Sequence, residues 1–414
     1  MTETFHVKEY PSGLTLLGMP MPLVSSAAFT IALPGGAAYD PEPALGAGNV
    51  GIEWLFRGAG DMDTRALNDA LEALGCDHGE SVRSTHLVLS AVQLGRNLPK
   101  VLEIYADILR RPRLEDQTFQ PSRQLALQDV LGLEDEPARK ANILLREKFY
   151  PSPLGRCVFG HEQTLRAMTA EPIRAHLNRC LSPNGAIVSV AGNFEWDTLV
   201  GHVDELLGDW TKPALPPLEI TPPENGVNHL EKDSAQSHIA MGHATVPLGH
   251  EHYYSARLAE TVLSGGMASR LFTEVREKRG LAYSVGSSYH CVKDHAGIFT
   301  YVGTRPELTQ ETFDVTTGEI RRLAEGIDGE EMQRARVQLK SGLVMQGEST
   351  RSRAGSMASD WYLLGQVRTL EQIARATQEV TIDQVMDYLR QMPATDFTVL
   401  VIGPEGVSVD GANG

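Results

Sequence analysis

Arg276 and Tyr283 stand seven residues apart in the stretch 265–289, GGMASRLFTEVREKRGLAYSVGSSY. A guanidinium and a phenol can each donate a hydrogen bond. Two such donors converging on one carbonyl oxygen can hold the negative charge that develops there during acyl chemistry. The spacing predicts a glycine-opened helix over 267 to about 279, a stop at Gly280 and a strand starting near Ala282. Arg276 then falls in the last helical turn and Tyr283 at the start of the strand, so the reversal at Gly280 brings both toward one corner. Glycine suits that stop because a helix C-cap commonly needs a left-handed backbone. The plainer alternative is that Arg276 caps its helix and Tyr283 packs.

Metal-ligating residue types form no comparable pattern. Cys157 and His161 lie four apart, but Val-Phe-Gly between them and Gly155 before them read as a turn, a two-ligand site at most. His78 and His86 flank the start of a strand. His243, His250 and His252 lie in or beside a polar loop region and read as solvated or capping residues. The four cysteines (Cys76, Cys157, Cys180 and Cys291) are too few and too scattered for a disulfide framework. A reduced, cytoplasmic setting fits them. The net charge of −16 argues against nucleic acid or an anionic membrane as partner. No window approaches a membrane span, and the first residues carry neither the basic start nor the apolar run of a secretory signal.

The elements that must position Arg276 and Tyr283 occur twice. Five prolines in the run 211–226, TKPALPPLEITPPENG, interrupt regular structure and read as a semi-rigid spacer. Before it, helices over about 46–57 and 64–74 (ending at Gly75) are followed by a strand over 81–94 and a helix from about Asn97. After it, helices over 253–264 and 269–279 (ending at Gly280) are followed by strands over 282–292 and 297–304 and a helix from about Pro306. Gly75 matches Gly280, 205 positions on, and the strand at 186–194 matches that at 397–405, 211 positions on. A nearly constant offset marks a duplicated domain. The fold class is therefore α+β: two homologous α/β sandwich domains, over 1–210 and 229–414, joined by a linker at 211–228.

The string REKRGLAYSV, preceded by GGMASRLF, closely resembles the C-terminal signature of the pitrilysin/insulysin-type peptidases, the inverzincins. LFRGAG (55–60), GRCVFGHEQTLRAMT (155–169) and LSPNGAIVSVAGNF (181–194) follow the family's order, so the resemblance spans about residues 5–405. It implies two domains forming half of a clamshell, paired with a second half, and a peptide bound as an added strand on a sheet edge. Carried onto this chain, it makes Arg276 and Tyr283 contacts near the scissile bond, the tyrosine helping to stabilise the tetrahedral intermediate. It places Gly265 and Gly266 in substrate binding.

The family's zinc centre is an inverted His-x-x-Glu-His motif with a third ligand from a later helix. Anchored on LFRG, the corresponding residues are Asn49-Val50-Gly51-Ile52-Glu53, and the distal carboxylate falls near Asp129. Asn49, Glu53 and Asp129 offer none of the nitrogen donors zinc prefers, so no metal is expected in this chain. The zinc half is lost and the arginine/tyrosine half kept. That combination resembles members in which one chain carries zinc and a related chain supplies substrate contacts. The leading expectation is the non-zinc subunit of a heterodimeric zinc metallopeptidase, with zinc in the partner and peptide as substrate. The alternatives are an inactive structural or peptide-binding homologue and, more weakly, a homodimeric hydrolase using another metal.

Overall fold

Apolar residues alternate along Ser26–Pro34. Phe29, Ile31 and Leu33 are buried on one face of this strand and Ala28 and Ala32 on the other, the period-two pattern of a strand covered on both sides. The computed structural model describes residues 3–408. The chain divides into two compact units. One runs to Gly132 and resumes over Arg156–Ile220 and Gln346–Arg368; the other takes Leu133–Gly155, Thr221–Met345 and the chain from Thr369 onward.

The strands of the first unit are β1 (His6–Glu9), β2 (Thr15–Pro20), β3 (Ser26–Pro34), β4 (Gly58–Ala59), β5 (Met62–Asp63), β6 (Asp77–Val82), β7 (His86–Leu94) and β8 (Ile187–Gly192). Strands β4 and β5 pair with each other, and the other six form a sheet in the order β1-β2-β8-β3-β7-β6. The second unit has β9 (Val227–Glu231), β10 (Ser237–Thr245), β11 (Ala282–Val292), β12 (His295–Thr304) and β13 (Thr398–Gly403) in the order β11-β12-β10-β13-β9. Without β1, the two orders correspond strand for strand. In each sheet one parallel pair, β2/β8 or β9/β13, adjoins antiparallel neighbours. Ser26 and Ser237 open the central strands 211 positions apart, and Asp77 and Ala282 open the edge strands 205 apart. The duplication expected from the sequence is therefore present in the topology.

The sequence reading divided the chain into contiguous halves, whereas the compact units are interleaved. In the first unit the far face of the sheet is covered by helix Thr350–Leu364 from the C-terminal half. Its Ala354, Met357 and Ala358 pack on Ala28, Ala32 and Ala191, small residues that let helix and sheet approach closely. In the second unit the far face is covered by helix Pro137–Phe149 from the N-terminal half. Its Phe149 ring lies against Phe299, centroids 4.9 Å apart. A Cβ at Gly297 would stand 2.7 Å from that ring and force it to shift, and one at Gly242 would press on it at 3.2 Å. Nothing in the local sequence of either helix says which sheet receives it.

Two boundaries also differ. The segment 81–94 is not one strand: it holds the end of β6, a turn and all of β7, paired as a hairpin. The helix expected over 267–279 is shorter, because Met267 and Ala268 lie in a turn. Over Phe272–Glu277 the backbone widens into a π-type turn, with the Lys278 N–H donating to the Thr273 carbonyl at 2.9 Å. Gly280 takes the left-handed conformation at φ +60, as a C-terminal stop requires.

Candidate functional site

In the second unit, the corner that carries Arg276 and Tyr283 is braced from beneath. Arg270 forms a two-pronged ion pair with Glu331, Nε–Oε1 2.7 Å and Nη2–Oε2 2.8 Å, with both side chains mostly buried. The Thr304 hydroxyl donates to the Leu281 carbonyl at 2.6 Å, holding the chain where it enters β11. There Ala282 faces Thr304 and Ser284 faces Gly303, so Tyr283 is the extra residue of a bulge. A bulge re-aims a side chain that regular pairing would have directed by alternation. Tyr283 is accordingly 58% exposed.

Arg276 is exposed too, its guanidinium 4.9 Å above the Phe272 ring. Among the described residues neither side chain makes a hydrogen bond or ion pair. Capping in this turn falls instead to Arg279, which donates to the Glu274 carbonyl at 2.9 Å. The plainer alternative, capping by Arg276 and packing by Tyr283, does not describe this corner. Strand β11 is the edge of its sheet, though the Ser287 N–H is taken by the Ser264 hydroxyl at 2.7 Å.

Gly265 and Gly266 follow helix Tyr253–Ser264 and line a small cavity with Gln338. Each has a local reason to be glycine, steric at Gly265 and conformational at Gly266. A Cβ on Gly265 would meet Gln338 Oε1 and Thr261 O at 2.5 Å, and Gly266 sits at φ +147.

In the first unit, helix Ala47–Leu55 carries the positions of the zinc motif. It is started from outside by Asp40, whose carboxylate accepts from the Gly46 and Gly48 N–H groups at 2.8 Å each, filling the vacant donors of a helix N-terminus. Ile52, at the position of the catalytic glutamate, is 3% exposed and belongs to the core. Asn49 Nδ2 is buried without a hydrogen-bond partner. Glu53 is paired with Arg57 one turn on. Asp129 lies exposed on helix Asp116–Gly132, which packs beside the Ala47–Leu55 helix. An amide, an isoleucine and a carboxylate already neutralised by arginine do not fit zinc. Among the described residues no group of three or more His, Cys, Asp or Glu side chains is placed to hold a metal.

Beside Glu53 lies a polar cavity of about 460 Å³ lined also by Arg57, Cys76, His78 and Glu80. The His78 ring stacks on Phe56, centroids 5.2 Å apart. Its Nδ1 lies 3.5 Å from Glu80, and that carboxylate raises its pKa above the ordinary value. Burial pushes the Cys76 thiol up to about 11, which keeps it protonated and unreactive at neutral pH. The sequence reading missed this grouping. The i,i+4 spacing of Glu53 and Arg57 could have signalled their pair, but nothing local announces that β6 brings His78 and Glu80 beside them.

Two family models match the chain: "Insulinase (Peptidase family M16)" over residues 22–161 and "Peptidase M16 inactive domain" over residues 167–339. An uncharacterized zinc protease of Mycobacterium tuberculosis is 28% identical over 404 residues, covering 96% of this chain and 92% of that protein. An uncharacterized zinc protease of Bacillus subtilis is 26% identical over 410 residues, covering 97% and 99%. Among solved structures, a peptidase M16 inactive domain from Pseudomonas fluorescens matches with a TM-score of 0.89 at 19% identity, covering 97% of this chain and 98% of that one. A protease from Helicobacter pylori matches with a TM-score of 0.89 at 16% identity, covering 97% and 100%. These two likenesses speak to the fold, which is the one the sequence led us to expect. With both of the family's domains matched in order along it, the chain belongs to the M16, or insulinase, family of peptidases.

Proposed function

We propose that this chain is the non-zinc-binding subunit of a two-chain M16 peptidase, in which a related partner holds zinc and this chain supplies substrate contacts. One observation carries the reading. Among the described residues Arg276 and Tyr283 are held on a braced corner yet make no hydrogen bond, while the helix Ala47–Leu55 has lost every imidazole of the zinc motif. Donors left free on a rigid element suit an external acceptor. In this reading they meet the peptide carbonyl near the scissile bond, and Tyr283 donates to it as charge develops. Gly265 and Gly266 border the substrate.

The acidic balance of the chain favours peptides with basic segments, a steering effect that salt weakens. A cytoplasmic setting accords with the scattered cysteines, none of which forms a disulfide among the described residues, and no described helix is long and apolar enough to cross a membrane. The Glu53–Arg57 pair counts against a hydrolase that uses another metal at Glu53 and Asp129. A second reading, a peptide-binding homologue without hydrolysis, is favoured by the edge strands β6 and β11, which could each accept an added strand.

The test is reconstitution. The chain is purified alone and mixed with a related M16 chain bearing an intact His-x-x-Glu-His motif, and cleavage of an unstructured peptide is followed. Activity is expected from the mixture and not from this chain. Peptide cleavage by the single chain, abolished by a chelator, would overturn the subunit assignment; an inactive but peptide-binding complex would favour the second reading.

A further inference from the structure

His243 read from the sequence as a solvated or capping residue near a polar loop. It lies instead in β10, 6% exposed, on the strand face that also carries Ile239 and Met241. Its Nδ1 is buried with no hydrogen-bond partner. Burying a polar atom without a partner is costly, and native structures rarely keep one without a reason. The residue lines a cavity of about 200 Å³ within the second unit. Its inner wall is apolar, with Ala259, Leu263 and Ile298 all buried, and Ala324 and Thr395 stand exposed at its rim. For scale, a dry apolar cavity of about 150 Å³ holds benzene.

The polar groups of the lining narrow the occupant further. Tyr388 is already satisfied, its hydroxyl 2.7 Å from that of Thr245. Glu260, 8% exposed, has Arg257 no nearer than 3.8 Å and disfavours an anion. Arg321 lies over the Phe397 ring at 5.6 Å and disfavours a cation. What remains is a neutral molecule. Burial lowers the His243 pKa to about 4, so its imidazole is neutral at pH 7 and one ring nitrogen is an acceptor. The His243 ring thus offers the interior an acceptor for a neutral donor. An apolar pocket with a few convergent polar groups is the usual form of a small-molecule site.

We propose that this cavity is a binding site for a compact, neutral aromatic molecule carrying one N–H or O–H group, which donates to His243 while the ring fills the space between Leu263 and Ile298. This role is separate from peptide contact by Arg276 and Tyr283, neither of which lines the cavity.

Indole is the probe, and indene, of the same shape without the donor, is its control. Titration calorimetry on the full chain should show saturable indole binding with a dissociation constant of roughly 1 mM or below. Indene should bind roughly three- to tenfold more weakly, the worth of one hydrogen bond. Ala324→Trp, at the exposed rim where the fold tolerates bulk, should weaken indole by at least roughly tenfold with an unchanged melting temperature. His243→Leu should erase the difference between indole and indene. Absence of saturable indole binding, binding undiminished in Ala324→Trp, or indene equal to indole on the unaltered chain would each overturn the assignment.

Discussion

Tyr283→Phe removes one oxygen from a side chain that is 58% exposed and, among the described residues, makes no hydrogen bond. No buried partner is orphaned and no cavity opens. The change in folding stability should therefore stay within about 0.5 kcal/mol, as for other surface substitutions, and any larger loss of activity has to come from chemistry. Removing one donor from a water-excluded oxyanion site costs about a hundred- to a thousandfold in turnover. Tyr283 is more exposed than such donors, and water screens its effect, so at least roughly tenfold is expected, about 1.4 kcal/mol of barrier. The assay uses this chain reconstituted with a zinc-bearing M16 partner and a quenched fluorescent peptide, reading kcat and KM separately. A donor that acts on developing charge lowers kcat and leaves KM nearly unchanged. Thermal melts of the variant and its parent should coincide. A kcat within about twofold of the parent in an assembled pair, or a rise in KM only, would refute the oxyanion role.

Gly297→Ala places a Cβ 2.7 Å from the Phe149 ring, so overpacking should destabilise the second unit by about 1–3 kcal/mol. A urea midpoint that does not fall would show that helix Pro137–Phe149 yields freely. Acid should also weaken the fold through His86 and His243, each pushed down to about 4 by burial from an ordinary 6.5. Between those values the unfolded chain binds protons that the folded chain refuses. Stability is therefore full above about pH 6.5 and declines as pH drops toward 4, by at most roughly 3 kcal/mol per histidine. His243→Leu should flatten the urea midpoint against pH over that window; an unaltered slope would mean that the ring does not titrate as its burial requires.

Much of the architecture could be read from local pattern. Strand β11 and helix Tyr253–Ser264 lie where alternation and helical spacing put them, over 282–292 and 253–264. The repeat at offsets of 205 and 211 reappears as two sheets with the same strand order. Missing imidazoles are also a fact of sequence: folding cannot give Asn49, Ile52 or Glu53 the nitrogen donors of the zinc motif. Side-chain identity and periodicity decide such matters because they depend on residues only a few positions apart.

Tertiary structure decided what depends on a distant partner. The local pattern does not say where helices Pro137–Phe149 and Thr350–Leu364 pack; only the tertiary structure shows each crossing to the sheet of the other repeat. Tyr283 looks like an ordinary strand residue until its neighbours are counted against β12 and the bulge emerges. His243 precedes a polar loop in sequence, and its burial comes from elements outside β10, among them helix Tyr253–Ser264 and the segment 388–395. Chain order carries the chemistry of each residue; which surface that chemistry faces is set by long-range contacts that the local pattern does not encode.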